Sequence, residues 1–398
     1  MSERKKASGA SLKIALYVPW IYQKGGVERT WLELISRSRH DWTVFTHRYE
    51  PQSTFPEFSR LKVIELGKVP LQRDFGALSS ASLSMLSQKI DLKDFDVFVV
   101  STAGFAEFIA IRNDKIPTIA FCHTPLRVVH DPVIRKKYLT ENAAKAIPFQ
   151  VFERAYRMME RQAWKKFKFV VLASEEVASR ILAAGLVGRE KLEFLKYGVD
   201  TKKFADPKGY GDFFLLPGRI NWTKNVELGI LAYKRMVQDD PGLAKFKLVV
   251  AGGVDEKSRG YFDYLKAKYE KPGKGKISIA CNPSESELLG LYSTCYCVLF
   301  TAINEDWGLI PIEAMSFSKP VIAANQGGPA ESIVDGVTGL LAEPDERDFA
   351  AKMAAVARDE KLARKLGAEG RKRAMQFDWA SAAKRMDELV QKAAASGR

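Results

Sequence analysis

Cysteine and histidine are both scarce in this chain, with four of each among 398 residues. Cys122, Cys281, Cys295 and Cys297 fall mostly in apolar, strand-like runs. They lack the paired spacing of a zinc site and the density of a disulfide framework, so they read as buried reduced thiols. With so few histidines and no acidic or histidine cluster, no metal centre is expected. Long apolar runs are missing too. No stretch approaches the roughly eighteen consecutive apolar residues of a spanning helix, and the polar opening MSERKKASGA has no leader-like apolar core. The expectation is a cytoplasmic chain that does not cross a membrane. Repeats of roughly 20–50 residues are absent, which excludes a solenoid.

What the chain has is length, an apolar content of 46%, and a net charge of +14. The length predicts two domains, or three, with substantial cores. The charge is uneven: residues 1–200 hold 32 Lys+Arg against 22 Asp+Glu, and the remainder 30 against 26. Anionic partners follow, with a phosphorylated ligand, an acidic membrane surface and nucleic acid all eligible.

Short β-rich runs alternate with longer helical patterns. LKIALYV, WTVFT, FDVFVVST, PTIAFCH and FVVLAS form one series, and FFLLPGR, FKLVVAGG, KISIA, CYCVLF and KPVIAA a second. This alternation predicts an α/β protein with two Rossmann-like, doubly wound parallel-sheet domains facing across a cleft. The expected divisions are 11–208, 209–377 and a helical tail over 378–398 that returns to the first domain, with Asp378 or Ser381 as its cap. KYGVDTKKFADPKGYGD reads as the connection.

Three strand-to-helix turns carry candidate chemistry. Gly25 and Gly26 precede an amphipathic helix, where bare backbone and a helix amino terminus suit an anion; the pair equally suits a plain turn, and GxGxxG is not present. Arg219 and Lys224 flank a second turn and could clamp a diphosphate, or simply be surface cations. CYCVLFTAIN reads as a buried strand with Glu305 at its exit; in the NEDWGLIPIEAM that follows, Glu305 stands before a helix and Glu313 about two turns inside it, too far apart for a tight carboxylate pair. They suit two tasks, binding sugar and ribose hydroxyls, with helix amides between them for phosphate oxygens.

The order GGVER, CHTPLR, KYGVD, GRINWTKN, the two glutamates and the later GGPAE turn resembles retaining glycosyltransferases of family four, which have the GT-B fold. The likeness runs from about residue 12 to 390. It implies a metal-independent enzyme that uses a nucleotide-sugar donor, with no further cofactor. Arg219 and Lys224 would hold the donor diphosphate, Glu313 the ribose, and Glu305 with the Asp306, Trp307, Gly308, Leu309 and Ile310 segment the transferred sugar. Gly25 and Gly26 would approach the donor from the other domain. His123 resembles the family's histidine beside the sugar's reactive face, although a strand-end histidine is also a common structural hydrogen-bonding residue. Arg127 would help bind acceptor or phosphate.

Asp306 replaces a glycine common in the family, and EDWG with CHTPLR is similar to mannosyltransferases of bacterial surface polysaccharide assembly. GDP-mannose is therefore the favoured donor, a UDP-sugar the alternative, and a glycan or lipid-linked hydroxyl the acceptor. A sugar-nucleotide epimerase or a non-catalytic nucleotide-sugar binder of the same fold are competing readings.

VFERAYRMMERQAWKKFKF adds a further feature. Arg154, Arg157, Arg161, Lys165 and Lys168 are expected on one helical face, for solvent or anionic lipid, and Phe152, Tyr156, Met159, Ala163 and Phe167 on the opposite, core-facing one. Without a recognisable nucleic-acid-binding module, no nucleic-acid partner is expected.

Overall fold

The computed structural model describes residues 11–67, 75–200, 208–270 and 276–397. The N-terminal decapeptide and residues 201–207 of the expected connection lie outside the described residues. The chain forms two compact units, one from residues 1–196 with 379–398 and the other from 197–378.

The first unit is built on seven parallel strands: β1 (Lys13–Tyr17), β2 (Asp41–Thr46), β3 (Lys62–Glu65), β4 (Val97–Thr102), β5 (Thr118–Cys122), β6 (Val170–Leu172) and β7 (Leu192–Phe194). Their order is β3-β2-β1-β4-β5-β6-β7. The connecting helices are α1 (Gly26–Arg37), α2 (Phe75–Ser87), α3 (Arg127–His130), α4 (Pro132–Glu141), α5 (Ala146–Trp164) and α6 (Glu175–Ala183). Every residue of β4 and β5 is buried, as expected for central parallel strands covered on both faces. Local signals set the helix starts. Asp131 accepts from the Val133 and Ile134 amides to cap α4, and Ser174 caps α6.

The second unit repeats the plan with β8 (Phe213–Pro217), β9 (Lys247–Gly252), β10 (Ile277–Cys281), β11 (Cys297–Phe300), β12 (Val321–Ala324) and β13 (Leu340–Ala342), all parallel, ordered β10-β9-β8-β11-β12-β13. Its helices are α7 (Val226–Asp239), α8 (Arg259–Tyr269), α9 (Glu285–Thr294), α10 (Leu309–Ser316), α11 (Pro329–Ser332), α12 (Glu346–Arg358) and α13 (Glu360–Ala374). A full capping box, Ser284 with Glu287, starts α9.

The last helix, α14 (Trp379–Ala395), belongs to the first unit. Its buried Asp387 accepts hydrogen bonds from Ser38 Oγ (2.5 Å) and the Arg39 amide (3.1 Å) at the end of α1. Arg385 and Lys392 both pair with Glu193 on β7. Because α14 starts at Trp379, Asp378 immediately precedes it and Ser381 lies inside its first turn.

In both sheets the order reverses once, between β1 and β4 and between β8 and β11. At such a switch point the chain leaves neighbouring strands toward opposite faces, which opens a crevice at their carboxyl ends. This topology positions the candidate residues.

Two expectations need correction. Cys122, Cys295 and Cys297 are buried, and burial pushes the Cys295 thiol up to about 12, but Cys281 is only half-buried because it ends the edge strand β10. The strand expected through CYCVLFTAIN stops at Phe300, and the chain turns at Ile303 and Asn304, the latter at a left-handed φ of 44°.

Candidate active site

In the second unit, β8 and β11 are neighbours, with Cys297 opposite Phe214 and Val298 opposite Leu215. Their exits bring together residues 81 apart in sequence. The Lys224 ammonium forms an ion pair with the Glu305 carboxylate, the side chains being 15% and 23% exposed. Lys224 ends the short 3-10 turn Trp222–Lys224, whose amino terminus is capped by the Asn221 side chain accepting from the Lys224 amide. Two further bonds tie this turn to the β11 exit: the Ile303 amide donates to Thr223 O (2.8 Å), and Thr301 Oγ1 to Lys224 O (2.9 Å). Lys224 is thus held from both backbone and side chain.

Arg219 follows Gly218, whose φ of 120° only glycine adopts readily. The backbone on either side of Arg219 is fixed to the end of β9, Gly218 N to Ala251 O and Ile220 N to Gly253 O. Its side chain is exposed. A fixed backbone with an exposed guanidinium suits capture of an anion from solvent.

The Glu305–Gly308 loop is set by a second backbone contact. The Gly328 amide donates to Glu305 O (2.8 Å), and a Cβ at Gly328 would lie 2.3 Å from Trp307 Cα. A Cβ at Gly327 would lie 2.3 Å from Glu305 O. The two glycines of GGPAE are therefore required because backbone meets backbone there. Trp307 is buried, with its ring edge to Phe377, and Gly308, at φ 81°, delivers the chain into α10. Leu309 and Ile310 open that helix, so its unsatisfied amides and positive dipole end lie directly after Glu305.

Glu313 lies in the second turn of α10, nearer its start than the two turns expected, because the helix begins only at Leu309. Tyr292, at the end of α9, donates to Glu313 Oε2 (3.0 Å). The Tyr292 ring lies parallel to Phe317 with centroids 5.6 Å apart. Burial, then the Glu313 charge, raises the Tyr292 pKa well above its ordinary value, so it stays a donor. The two glutamates therefore have different partners, one a cation and one a phenol.

The first unit holds a separate constellation at its own switch point. Gly25 and Gly26 open α1 after β1; a Cβ at Gly26 would meet nothing within 4 Å, whereas one at Gly25 would lie 2.5 Å from Glu28 Oε2. His123 follows β5, and its Nε2 is 3.1 Å from Ser101 Oγ at the end of β4. Ser101 Oγ also accepts from the buried Trp31 indole of α1 (2.8 Å). Burial lowers the His123 pKa to about 3, so the imidazole is neutral at physiological pH. Arg127 is engaged with Asp131 (2.7 Å). Burial would raise the Asp131 pKa, but hydrogen bonding and charge from Arg127, with the helix amide and Arg180, hold it low.

Sequence reasoning missed Ser101, Trp31 and Tyr292, none of which stands in a recognisable spacing with its partner, and Asn221, whose cap spacing of three residues from Lys224 was the signal available. Of the expected basic face, Arg154, Arg157, Arg161 and Lys165 line one cavity together. Arg157, half-buried, also donates to Val129 O (2.8 Å) and Glu153 (2.9 Å). The helix ends at Trp164, so Lys165, Phe167 and Lys168 lie beyond it. Of the expected core side, Tyr156, Ala163 and Phe167 are buried, while Phe152 and Met159 are only partly so. Among the described residues, no helix is long and apolar enough to cross a membrane, and no group of three His, Cys, Asp or Glu side chains is placed to hold a metal ion.

Comparison with known proteins gives this geometry a family. Residues 24–203 match Glycosyltransferase Family 4, and residues 200–373 match Glycosyl transferases group 1. Alpha-1,3/1,6-mannosyltransferase ALG2 of Dictyostelium discoideum is 30% identical over 423 residues, covering 92% of this chain and 95% of its own. The Homo sapiens protein of that name is 34% identical over 175 residues, and there the match spans 42% of each chain. Among solved structures, sucrose-phosphate synthase from Thermosynechococcus elongatus aligns with a TM-score of 0.73 at 19% identity, covering 97% of this chain and all of that one. Anabaena HepE in complex with UDP-glucose aligns at 0.72 and 16%, covering 96% and 100%. Two family matches that together run through both units, a relative spanning nearly the whole chain and the shared architecture lead to one conclusion: the chain belongs to glycosyltransferase family 4 and has the GT-B fold.

Proposed function

We propose that this protein transfers mannose from GDP-mannose to a hydroxyl of a glycan or lipid-linked acceptor, with retention at the anomeric carbon. The observation that carries the reading is the convergence of Lys224, Glu305 and the amino terminus of α10 at one strand switch point, where Gly218, the residue before exposed Arg219, lies close to Ile310. A nucleotide diphosphate supplies the charge that Arg219, Lys224 and the α10 amides are built to receive. As the anomeric bond loosens, negative charge grows on the departing diphosphate, and these donors stabilise it more than they stabilise the ground state. Glu305 accepts from sugar hydroxyls, and Glu313, oriented by Tyr292, from the ribose. The Asp306–Ile310 segment carries the amides between them. Mannose is supported by the ALG2 relatives' name, and GDP as its carrier by the similarity of EDWG with CHTPLR to mannosyltransferases of bacterial surface polysaccharide assembly.

In the first unit we assign His123 and the Gly25–Gly26 turn to the sugar, on the family resemblance. Neutral at physiological pH, His123 can hydrogen-bond a sugar hydroxyl without adding charge. Retention needs no second carboxylate: the departing phosphate can accept the acceptor's proton on the face where the new bond forms.

The test begins with thermal shift against GDP-, UDP-, ADP- and dTDP-sugars. A donor at about one hundred times its Kd stabilises by about 2.7 kcal/mol. Selective stabilisation by GDP-mannose is expected, and selective stabilisation by a UDP-sugar would overturn the donor assignment. Arg219→Ala and Lys224→Ala should each cut transfer at least about tenfold; unchanged turnover and donor affinity in both would remove the diphosphate clamp. Conversion of the donor to an epimer without acceptor would replace transfer with epimerisation.

A further inference from the structure

The outward face of α5 plays no part in the site above. Three large apolar side chains are exposed on this one helix: Ile147 (75%), Val151 (64%) and Met158 (65%). Their spacings of four and seven place them on a single stripe. Exposed Arg154 and Arg161 lie on the same stripe, and Lys165 follows directly beyond the last turn. Met158, Arg154, Arg157, Arg161 and Lys165 line a cavity of about 490 Å³ that has no carboxylate in its wall. Arg157 also lines a second cavity of about 690 Å³, where Arg135 and Arg180 join it and Glu153 is the one carboxylate. Arg180 is further paired with Glu176 (2.8 Å).

Seven cations, Lys136 among them, therefore line two cavities that share Arg157 and together form a groove centred on it, its guanidinium fixed by Val129 O and Glu153. The groove alone would suit any phosphate. The apolar stripe beside it narrows the choice, because a free anion or a nucleic acid leaves Ile147, Val151 and Met158 in water. A phospholipid surface satisfies both, with phosphate for the arginines and acyl chain for the apolar side chains.

We propose that the α5 face docks on an anionic phospholipid bilayer, Ile147, Val151 and Met158 entering the acyl boundary while the Arg157-centred groove receives a lipid phosphate. This goes beyond the transfer reading and does not depend on it.

The experiment is vesicle co-sedimentation of the full chain. Vesicles of three parts phosphatidylcholine to one part phosphatidylglycerol should bind it, and pure phosphatidylcholine should bind it far more weakly. The variant Arg154→Glu with Arg161→Glu should lower partitioning by roughly thirty-fold or more, at about five-fold for each lost surface cation. Ile147→Ser with Met158→Ser should lower it at least about tenfold without changing the dependence on phosphatidylglycerol. All four side chains are exposed or nearly so, and an unchanged melting temperature confirms that each variant folds. Binding that ignores phosphatidylglycerol, or that survives both double substitutions, overturns the proposal. Full displacement by soluble glycerol phosphate at matched phosphate concentration also overturns it, since the groove would then be a free-anion site.

Discussion

Replacing Glu305 with Gln should tighten binding of the bare nucleotide while abolishing sugar transfer. The reasoning starts from the Lys224–Glu305 ion pair, whose side chains are 15% and 23% exposed. Two unit charges about 4 Å apart attract by about 4 kcal/mol at an effective dielectric of about 20. Desolvation and the cost of ordering two long side chains offset much of this. The net lies between the roughly 0–1 kcal/mol of exposed pairs and the larger values of buried ones, so about 1–2 kcal/mol is the working figure. A diphosphate approaching Lys224 must replace Glu305 as its partner and also meets that carboxylate's repulsion. Glu305→Gln removes both obstacles in a nearly isosteric way. The expected result by calorimetric titration is a GDP Kd lower by about 5–30-fold, shrinking as salt screens the charges. Transfer from GDP-mannose should fall at the same time, because a neutral amide holds the sugar hydroxyls less strongly. Lys224→Ala should do the opposite to nucleotide affinity and lose transfer as well. If the Glu305→Gln protein melts like the parent yet binds GDP equally or more weakly, Lys224 is not the diphosphate's partner and the site assignment fails.

Three other outcomes follow from the same geometry. Gly328→Ala sets a Cβ 2.3 Å from Trp307 Cα and 2.4 Å from Trp307 O; with Trp307 buried, thermal denaturation should show a loss of about 2–4 kcal/mol, and a loss under about 0.5 kcal/mol would mean that this turn is soft. Tyr292→Phe keeps the stacking on Phe317 but loses the bond to Glu313, so donor affinity should drop about five-fold with little change in melting; unaltered affinity would detach Glu313 from the ribose. For His123 the folded pKa, about 3, lies below the ordinary 6.5. Its contribution to stability is complete above pH 6.5 and is lost as pH falls toward 3, at up to about 4–5 kcal/mol. The buried His40 and His47, both also lowered mainly by burial, contribute in the same direction. The readout is therefore the difference between parent and His123→Gln in an acid-denaturation series, and parallel curves would refute the burial argument.

Strands β1, β2, β4, β5 and β6 were legible in sequence because each is a mostly apolar, β-rich run, the pattern imposed by burial on both faces. The same holds for β8, β9, β11 and β12, whereas the edge strand β10 shows the alternation of a half-buried strand. β3, β7 and β13 were not, since they are three or four residues long and end or flank a sheet; KVIE in β3 is largely exposed and resembles a polar loop. A strand of that kind is defined by its neighbour's unpaired amides and carbonyls more than by its own side chains.

The site divides in the same way. Glu305, Glu313 and the GGPAE glycines form a local pattern, because one loop, one short helix and one backbone crossing must succeed each other in a fixed order. By itself, the sequence determined the parallel α/β class, the family signature and the identity of the acids. Only the tertiary structure decided that Lys224 meets Glu305, that Trp31 and Ser101 hold His123, that Tyr292 holds Glu313, and that Arg157 bonds to Val129 O while Ile147, Val151 and Met158 of the same helix stay exposed. Hydrophobic periodicity records whether a residue is covered, and a strand's run does not say which other strand lies beside it. That adjacency comes from the order in which the sheet is wound, and it sets which strand exits, and hence which side chains, come within reach of one another.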